Sequence, residues 1–161
     1  MDDGLDLAQY IGYLRKIYGV VAAWEERAAE TAPAWMQAML APRQRAGLLR
    51  RDLVWFGVTI PEDERPILPE IGDLPSLLGA MYVMEGSSLG GQFIARHVED
   101  KLHLNQGEGD AYFRGHGNDT GRMWKEFCDV LKMRVADKDA DAVVSSAKAM
   151  FAAFGAWLRR E

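Results

Sequence analysis

The sequence predicts an all-α fold, a multi-helical bundle of five to six packed helices. Three observations predict it. Apolar residues recur at spacings of three and four in several long stretches, the period of one helix face. No stretch alternates convincingly at period two, and no turn dipeptide joins two such stretches into a hairpin. Four of the six prolines fall in one connector instead of being spread through the periodic stretches.

The first helix is predicted over Leu5–Ala29, where Tyr10, Leu14, Ile17, Val21 and Trp24 form one apolar stripe. A short helix, "PAWMQAML", follows Thr31 as its N-cap. "PRQRAGLLRRDLVWFGV" reads as the next helix, with proline in its first turn and Leu48, Leu49, Leu53 and Phe56 as its buried face. "TIPEDERPILPEIGDLP" is an irregular connector. A glycine-bearing helix is expected over Ser76–Leu102, and "NQGEGDAYFRGHGND" reads as a loop. Asp119 or Thr120 then caps a helix through Met133. The last helix, Asp139–Leu158, carries Val143, Ala147, Phe151, Phe154 and Trp157 on its inner side.

The 161 residues suit one domain, residues 1–161, with a sizeable core. A net charge of -5 argues against a general nucleic-acid binder. Cys128 is the single cysteine, so no intrachain disulfide forms, and the composition fits a reducing cytoplasm. No apolar run approaches the roughly 20 residues of a membrane span. The acidic start "MDDGLDLAQY" lacks the order of a signal peptide.

One helical pattern carries its glycines inside: "MYVMEGSSLGGQFIARH", Met81–His97. Each glycine costs about 1 kcal/mol against alanine in a helix interior. Gly86 and Gly90 are four apart and share a face of a continuous helix. That bare face suits close contact with a neighbouring helix, or a flat ligand lying against the backbone. A phosphate loop fits poorly, because "GSSLGG" lacks the Gly-Lys-Ser/Thr ending and follows no strand. His97 comes seven residues after Gly90, within about 20° of it around the helix and roughly 10 Å along it. It is a candidate to ligate a metal or bond a carboxylate; near a helix C-terminus it equally serves the free carbonyls.

Other chemistry is thin. There is no Glu-x-x-His pair for a di-iron bundle, and one cysteine with scattered histidines does not make a zinc site. No metal site is predicted on these grounds. There is no Gly-x-Ser-x-Gly elbow. His116, between two glycines, reads as a solvated loop residue, and Cys128 as a small buried apolar one. Arg122 and Lys125 read as solvated charges in the first turns of their helix, placed to meet an anionic ligand group.

"LGAMYVMEGSSLGGQFIARHV" closely resembles the distal helix of haem oxygenases, especially bacterial ones associated with bacteriophytochromes, which read like "LGxLYVLEGSTLGGxxIxRHL". Three further segments resemble the family in order. "QRAGLLRRDLVWFGV" is similar to its "L..DL..LG" helix, "AYFRGHGNDTGRMWKEF" to its glycine loop and "TGxMWxxF" segment, and "AKAMFAAFGAWL" to its closing helix. The resemblance spans Asp6–Leu158. It implies a haem oxygenase-like bundle with haem lying against a kinked distal helix. Dioxygen at the iron attacks a meso carbon of the haem, a water network replaces a distal histidine, and an external donor supplies electrons. The products are biliverdin, carbon monoxide and iron. Carried over by motif, the backbone of Gly86 and Gly90 is catalytic. Gly86, Ser87, Gly90 and Gly91 form the wall that contacts haem, and Lys125 meets a propionate.

One departure matters. The family pattern places a proximal-histidine helix, "LRxxTxxxHxxxE"-like, before the helix that matches "DLAQYIGYLRKIYGVVAAWE". Here no histidine precedes His97. The resemblance therefore implies either a proximal helix encoded upstream of Met1, or a degenerate scaffold in which His97, on the oxygen side, is a poor substitute. The degenerate case implies an open groove. It would take haem, biliverdin or another tetrapyrrole without turnover, or be covered by a bacteriophytochrome, another protein or a second copy in a homodimer.

Overall fold

The structure, a computed structural model, describes residues 4–161. Eight α-helices follow one another, with no strand among the described residues: α1 (Leu7–Thr31), α2 (Ala34–Leu40), α3 (Ala46–Trp55), α4 (Leu74–Gly86), α5 (Gly91–Leu102), α6 (Ala111–Arg114), α7 (Thr120–Arg134) and α8 (Ala140–Leu158). Six of them have ten residues or more, in line with the expected bundle; α2 and α6 are short.

Local chemistry explains two firm helix starts. Asp6 accepts from Gln9 N at 2.8 Å while the Gln9 side chain accepts from Asp6 N at 3.0 Å, a capping box. Asp73 and Ser76 do the same for α4, with Pro75 in its first turn. The predicted stripe on α1 is buried in full. The central seam is α4 against α8. A side chain at Gly79 would put its Cβ 2.3 Å from the Val143 carbonyl oxygen, so only a bare Cα lets these helices meet.

The connector from Gly57 to Asp73 has no helix, as its prolines predict, and it lies across α1 as a strap. Tyr18 donates to Glu62 at 2.9 Å, Arg50 pairs with Glu62 at 2.6 Å, and Arg15 pairs with Glu64. Gly19 of α1 leaves room for the Glu64 carbonyl, which would stand 2.5 Å from a Cβ there.

Several boundaries differ from expectation. Thr31 ends α1, its hydroxyl donating to the Arg27 carbonyl at 2.8 Å, and does not cap α2. Pro42 lies in a separate 3₁₀ turn, Ala41–Arg43, and α3 starts only at Ala46. The glycine-rich loop contains α6. On α8 the inward stripe passes through Met150, which is fully buried, while Phe151 is 72% exposed. The largest correction concerns Ser76–Leu102. This is not one helix: α4 ends at Gly86 and α5 begins at Gly91.

Candidate functional site

The break between α4 and α5 is a tight turn. Ser88 N bonds to Glu85 O, Leu89 N to Gly86 O and Gly91 N to Ser88 O, at 3.1 to 3.2 Å, three residues back instead of four. The serine hydroxyls complete it: Ser87 donates to Met84 O and Ser88 to Glu85 O, both at 2.6 Å. Carbonyls released by the break are thereby satisfied by the residues that cause it.

The three glycines do different things. Gly91 is buried, and a Cβ there would lie 2.2 Å from the Phe113 carbonyl oxygen; its role is to let α5 touch α6. Gly86 lies against Trp124, whose ring would be in ordinary contact with a Cβ at 3.6 Å. Gly90 has nothing within 4 Å of where a Cβ would stand, so its backbone faces open space. Close contact with a neighbouring element is thus made at Gly86 and Gly91, while the backbone at Gly90 is left uncovered.

Beside the break runs an apolar groove of about 360 Å³. Leu5, Tyr10, Tyr13 and Ile17 line one wall; Ile94, His97 and Val98 of α5 line another; Tyr112 and Phe113 of α6 and Phe154 and Leu158 of α8 complete it. Ser87 enters it from the break. Tyr10 turns its hydroxyl away, donating to Gly109 O at 2.8 Å, and burial holds its phenol well above the usual range. Its ring meets Phe113 at 6.2 Å and Phe56 at 5.9 Å. Ser87 and His97, both exposed, are thus brought together on the lining. Lys125 is not on it; the side chain is 77% exposed and pairs with Asp129 at 3.0 Å. Arg122 is likewise taken up locally, by Glu126 at 2.6 Å and Asp119 at 3.5 Å.

Buried polar groups that sequence reasoning missed hold these walls. Arg43 and Arg45 sit in the short connection before α3, 7% and 4% exposed. Arg43 pairs with Glu85, also buried, and donates to Met123 O at 3.1 Å. Arg45 donates to Met84 O at 2.7 Å and to Ser87 Oγ at 3.0 Å, and its guanidinium lies 4.9 Å from the Tyr112 ring centre. Glu25 of α1 accepts from the backbone N–H groups of Arg45 and Ala46, which begins α3; burial holds its carboxyl above the usual range. Asp52, fully buried, accepts from Ala111 N at 2.8 Å and Tyr112 N at 2.9 Å and so fixes the start of α6. Glu85 inside the apolar run "MYVMEG" was the signal available in the sequence: a charge among apolar neighbours needs a partner.

The corner between α5 and α6 is a carboxyl pair. Asp110 is fully buried; its Oδ1 accepts from Gly107 N at 2.7 Å, and its Oδ2 has no hydrogen-bond donor among the described residues. Burial, and then Glu99 beside it, push its pKa up to about 6. Arg114 bridges the corner, bonding Glu99 and standing 3.5 Å from Asp110 Oδ2. His116 is half-buried, not solvated as expected; burial and the charges of Arg45 and Arg43 hold its imidazole below the usual range. Cys128 is half-buried. Among the described residues no three metal-ligating side chains gather, and no helix is long and apolar enough to cross a membrane.

Comparison with known proteins agrees with this architecture. A family model described as haem oxygenase matches residues 1–160. A haem oxygenase of Xanthomonas campestris pv. campestris is 29% identical over 98% of this chain and 93% of its own length. The haem oxygenase PigA of Pseudomonas aeruginosa is 27% identical over 75% of this chain, the match spanning 61% of PigA. In three dimensions the chain resembles a haem oxygenase from Leptospira interrogans, with a TM-score of 0.75 and 18% identity over 97% of this chain and 84% of that one. With the family model matching residues 1–160, this chain belongs to the haem oxygenase family.

Proposed function

We propose that the groove binds haem and that this chain serves oxidative haem cleavage to biliverdin, carbon monoxide and iron, with electrons from an external donor. The observation that carries this reading is the break at Gly86–Gly91. It leaves the backbone at Gly90 uncovered, three residues from Ser87, which with His97 borders a groove otherwise lined by apolar and aromatic side chains. A flat, largely apolar ring system fits such a lining, and an unshielded peptide at its edge lets polar backbone come close to what is bound. Haem, when bound, supplies both the iron that activates dioxygen and the ring that is cleaved.

The chain's own residues bind, orient and exclude water. Phe113, Ile94, Val98 and Phe154 supply apolar contact. Ser87 is held with its proton on Met84 O, so towards the groove it presents an acceptor. Gly86 and Gly90 are the backbone contacts in this reading, and Gly91 acts through packing. Lys125 meets a propionate only by leaving Asp129. The reaction takes place in the cytoplasm, and biliverdin passes to an acceptor such as a bacteriophytochrome.

A second reading, binding of haem, biliverdin or another tetrapyrrole without turnover, is favoured by one observation. Among the described residues His97 is the one imidazole on the lining, and it stands on the helix that follows the break. In that case a protein partner or a second copy covers the exposed rim at Tyr13 and Ile94. Titration with haemin followed by ascorbate under air separates the two. A sharp Soret band that decays into a biliverdin spectrum is expected. A band that persists supports binding alone, and no saturable band overturns both readings for haem.

A further inference from the structure

Arg45 touches the groove only through others. It is buried, yet among the described residues no carboxylate lies within 4.0 Å of its guanidinium, whereas its neighbour Arg43 is paired with Glu85 and Glu126. What it does contact is informative. One nitrogen, Nη2, donates both to Met84 O, in the last turn of α4, and to Ser87 Oγ, on the groove lining. The face of its guanidinium supports the ring of Tyr112, on a different groove wall. Its own backbone N–H is held by Glu25 of α1. A buried guanidinium bonded to a carbonyl and a hydroxyl and set over a ring, with no carboxylate in ion-pair range among the described residues, has its value in geometry.

We propose that Arg45 is the positioning residue of the groove: it sets the angle of the α4–α5 break by holding Met84 and Ser87, and ties that angle to the α6 wall through Tyr112. A supporting side chain of this kind fixes a site to a fraction of an ångström without contacting the ligand. The Ser87 hydroxyl gives its proton to Met84 O and accepts from Arg45, so both are needed to keep its orientation. Arginine suits this place because its Nη2 makes both bonds while the guanidinium carbon lies over the Tyr112 ring; lysine offers a point charge and no planar group.

The proposal rests on the haem reading for its ligand, but not for its first test. In the ligand-free protein, hydrogen exchange of the Ser88–Gly91 amides is compared among wild type, Arg45→Lys and Arg45→Met, alongside exchange in α1 as a control. Selective acceleration at Ser88–Gly91 in Arg45→Met, partly restored in Arg45→Lys, is expected. Equal acceleration everywhere, or none at the break, overturns the proposal. Haemin titration then adds Ser87→Ala and the double variant. Arg45→Met weakens haemin binding by about tenfold, the size of one charged hydrogen bond. Because the two act as a unit, the double variant binds no worse than Arg45→Met alone. Additive losses overturn the link through Ser87. Ser87→Ala alters one exposed side chain and keeps the test open should Arg45→Met fold poorly. If wild type itself binds no haemin, the haem reading fails, while the exchange result still decides the role of Arg45.

Discussion

The two sides of the α4–α5 break are built on opposite principles. The buried side is crowded and charged: Arg43, Arg45 and Glu85 lock the last turn of α4, and Gly91 presses its Cα against the Phe113 carbonyl. The other side is open, with nothing within 4 Å of where a Gly90 Cβ would stand and with Ser87, on the groove lining, and Leu89 exposed. Adjacent glycines in one motif thus serve different ends, Gly91 for close packing and Gly90 for access. Rigidity behind the break is what makes openness in front of it affordable.

The contrast is sharpest under substitution. Glu85→Ala strands Arg43 among buried atoms, with the partly exposed Glu126 at 3.4 Å as its remaining carboxylate beside the Met123 carbonyl, and is expected to cost about 3 kcal/mol or more. Chemical denaturation measures this, and a loss below about 1 kcal/mol would mean that water reaches the pair. Gly91→Ala comes next, at roughly 2 kcal/mol, since the atom it meets is backbone and cannot swing away.

The carboxyl corner gives a smaller, pH-dependent effect. Asp110 has a folded pKa of about 6 against an ordinary 3.8, so the fold holds this proton more tightly than the unfolded chain does. Its contribution is greatest below pH 4 and is lost as pH rises to about 6, levelling beyond. Glu99, held below its ordinary range by Asp110 and Arg114, works in the opposite sense at lower pH. Asp110→Asn is therefore expected to flatten the decline between about pH 4 and 6 and to stabilise at pH 7.5 by on the order of 1 kcal/mol. Unfolding midpoints at four pH values would show it; a variant that declines in parallel with wild type would place the proton elsewhere.

Gly90→Ala should barely register in stability, within about 0.5 kcal/mol, because the new methyl meets open space. Haemin affinity is the property expected to fall, and a variant that binds haemin as wild type does would move the contact away from Gly90.

These contrasts also mark what a linear reading reaches. The stripe Tyr10, Leu14, Ile17, Val21 and Trp24 was legible because burial of one helix face is a local, periodic signal. The inner face of α8 was read one position off at Phe151, since Met150 continues the same spacing equally well. The break was not legible as a break. "GSSLGG" is compatible with a helix, and the turn is decided by serine hydroxyls and by arginines about 40 residues earlier in the chain. Sequence distance likewise hid Glu25, 20 residues from Arg45, and Asp52, 59 residues from Ala111. The motif contains Ser87, Ile94 and His97 of the groove lining, but gives no sign of the walls on α1, α6 and α8.

The strap across α1 has a practical consequence. Its first part is stitched down through Glu62 and Glu64, and the bare Cα of Gly19 leaves no room for slack beneath it. Ile67, a few residues on, is 96% exposed. A tag, a protease site or a new chain terminus belongs at Ile67; the same insertion between Glu62 and Glu64 would unfasten the strap from the helix it crosses.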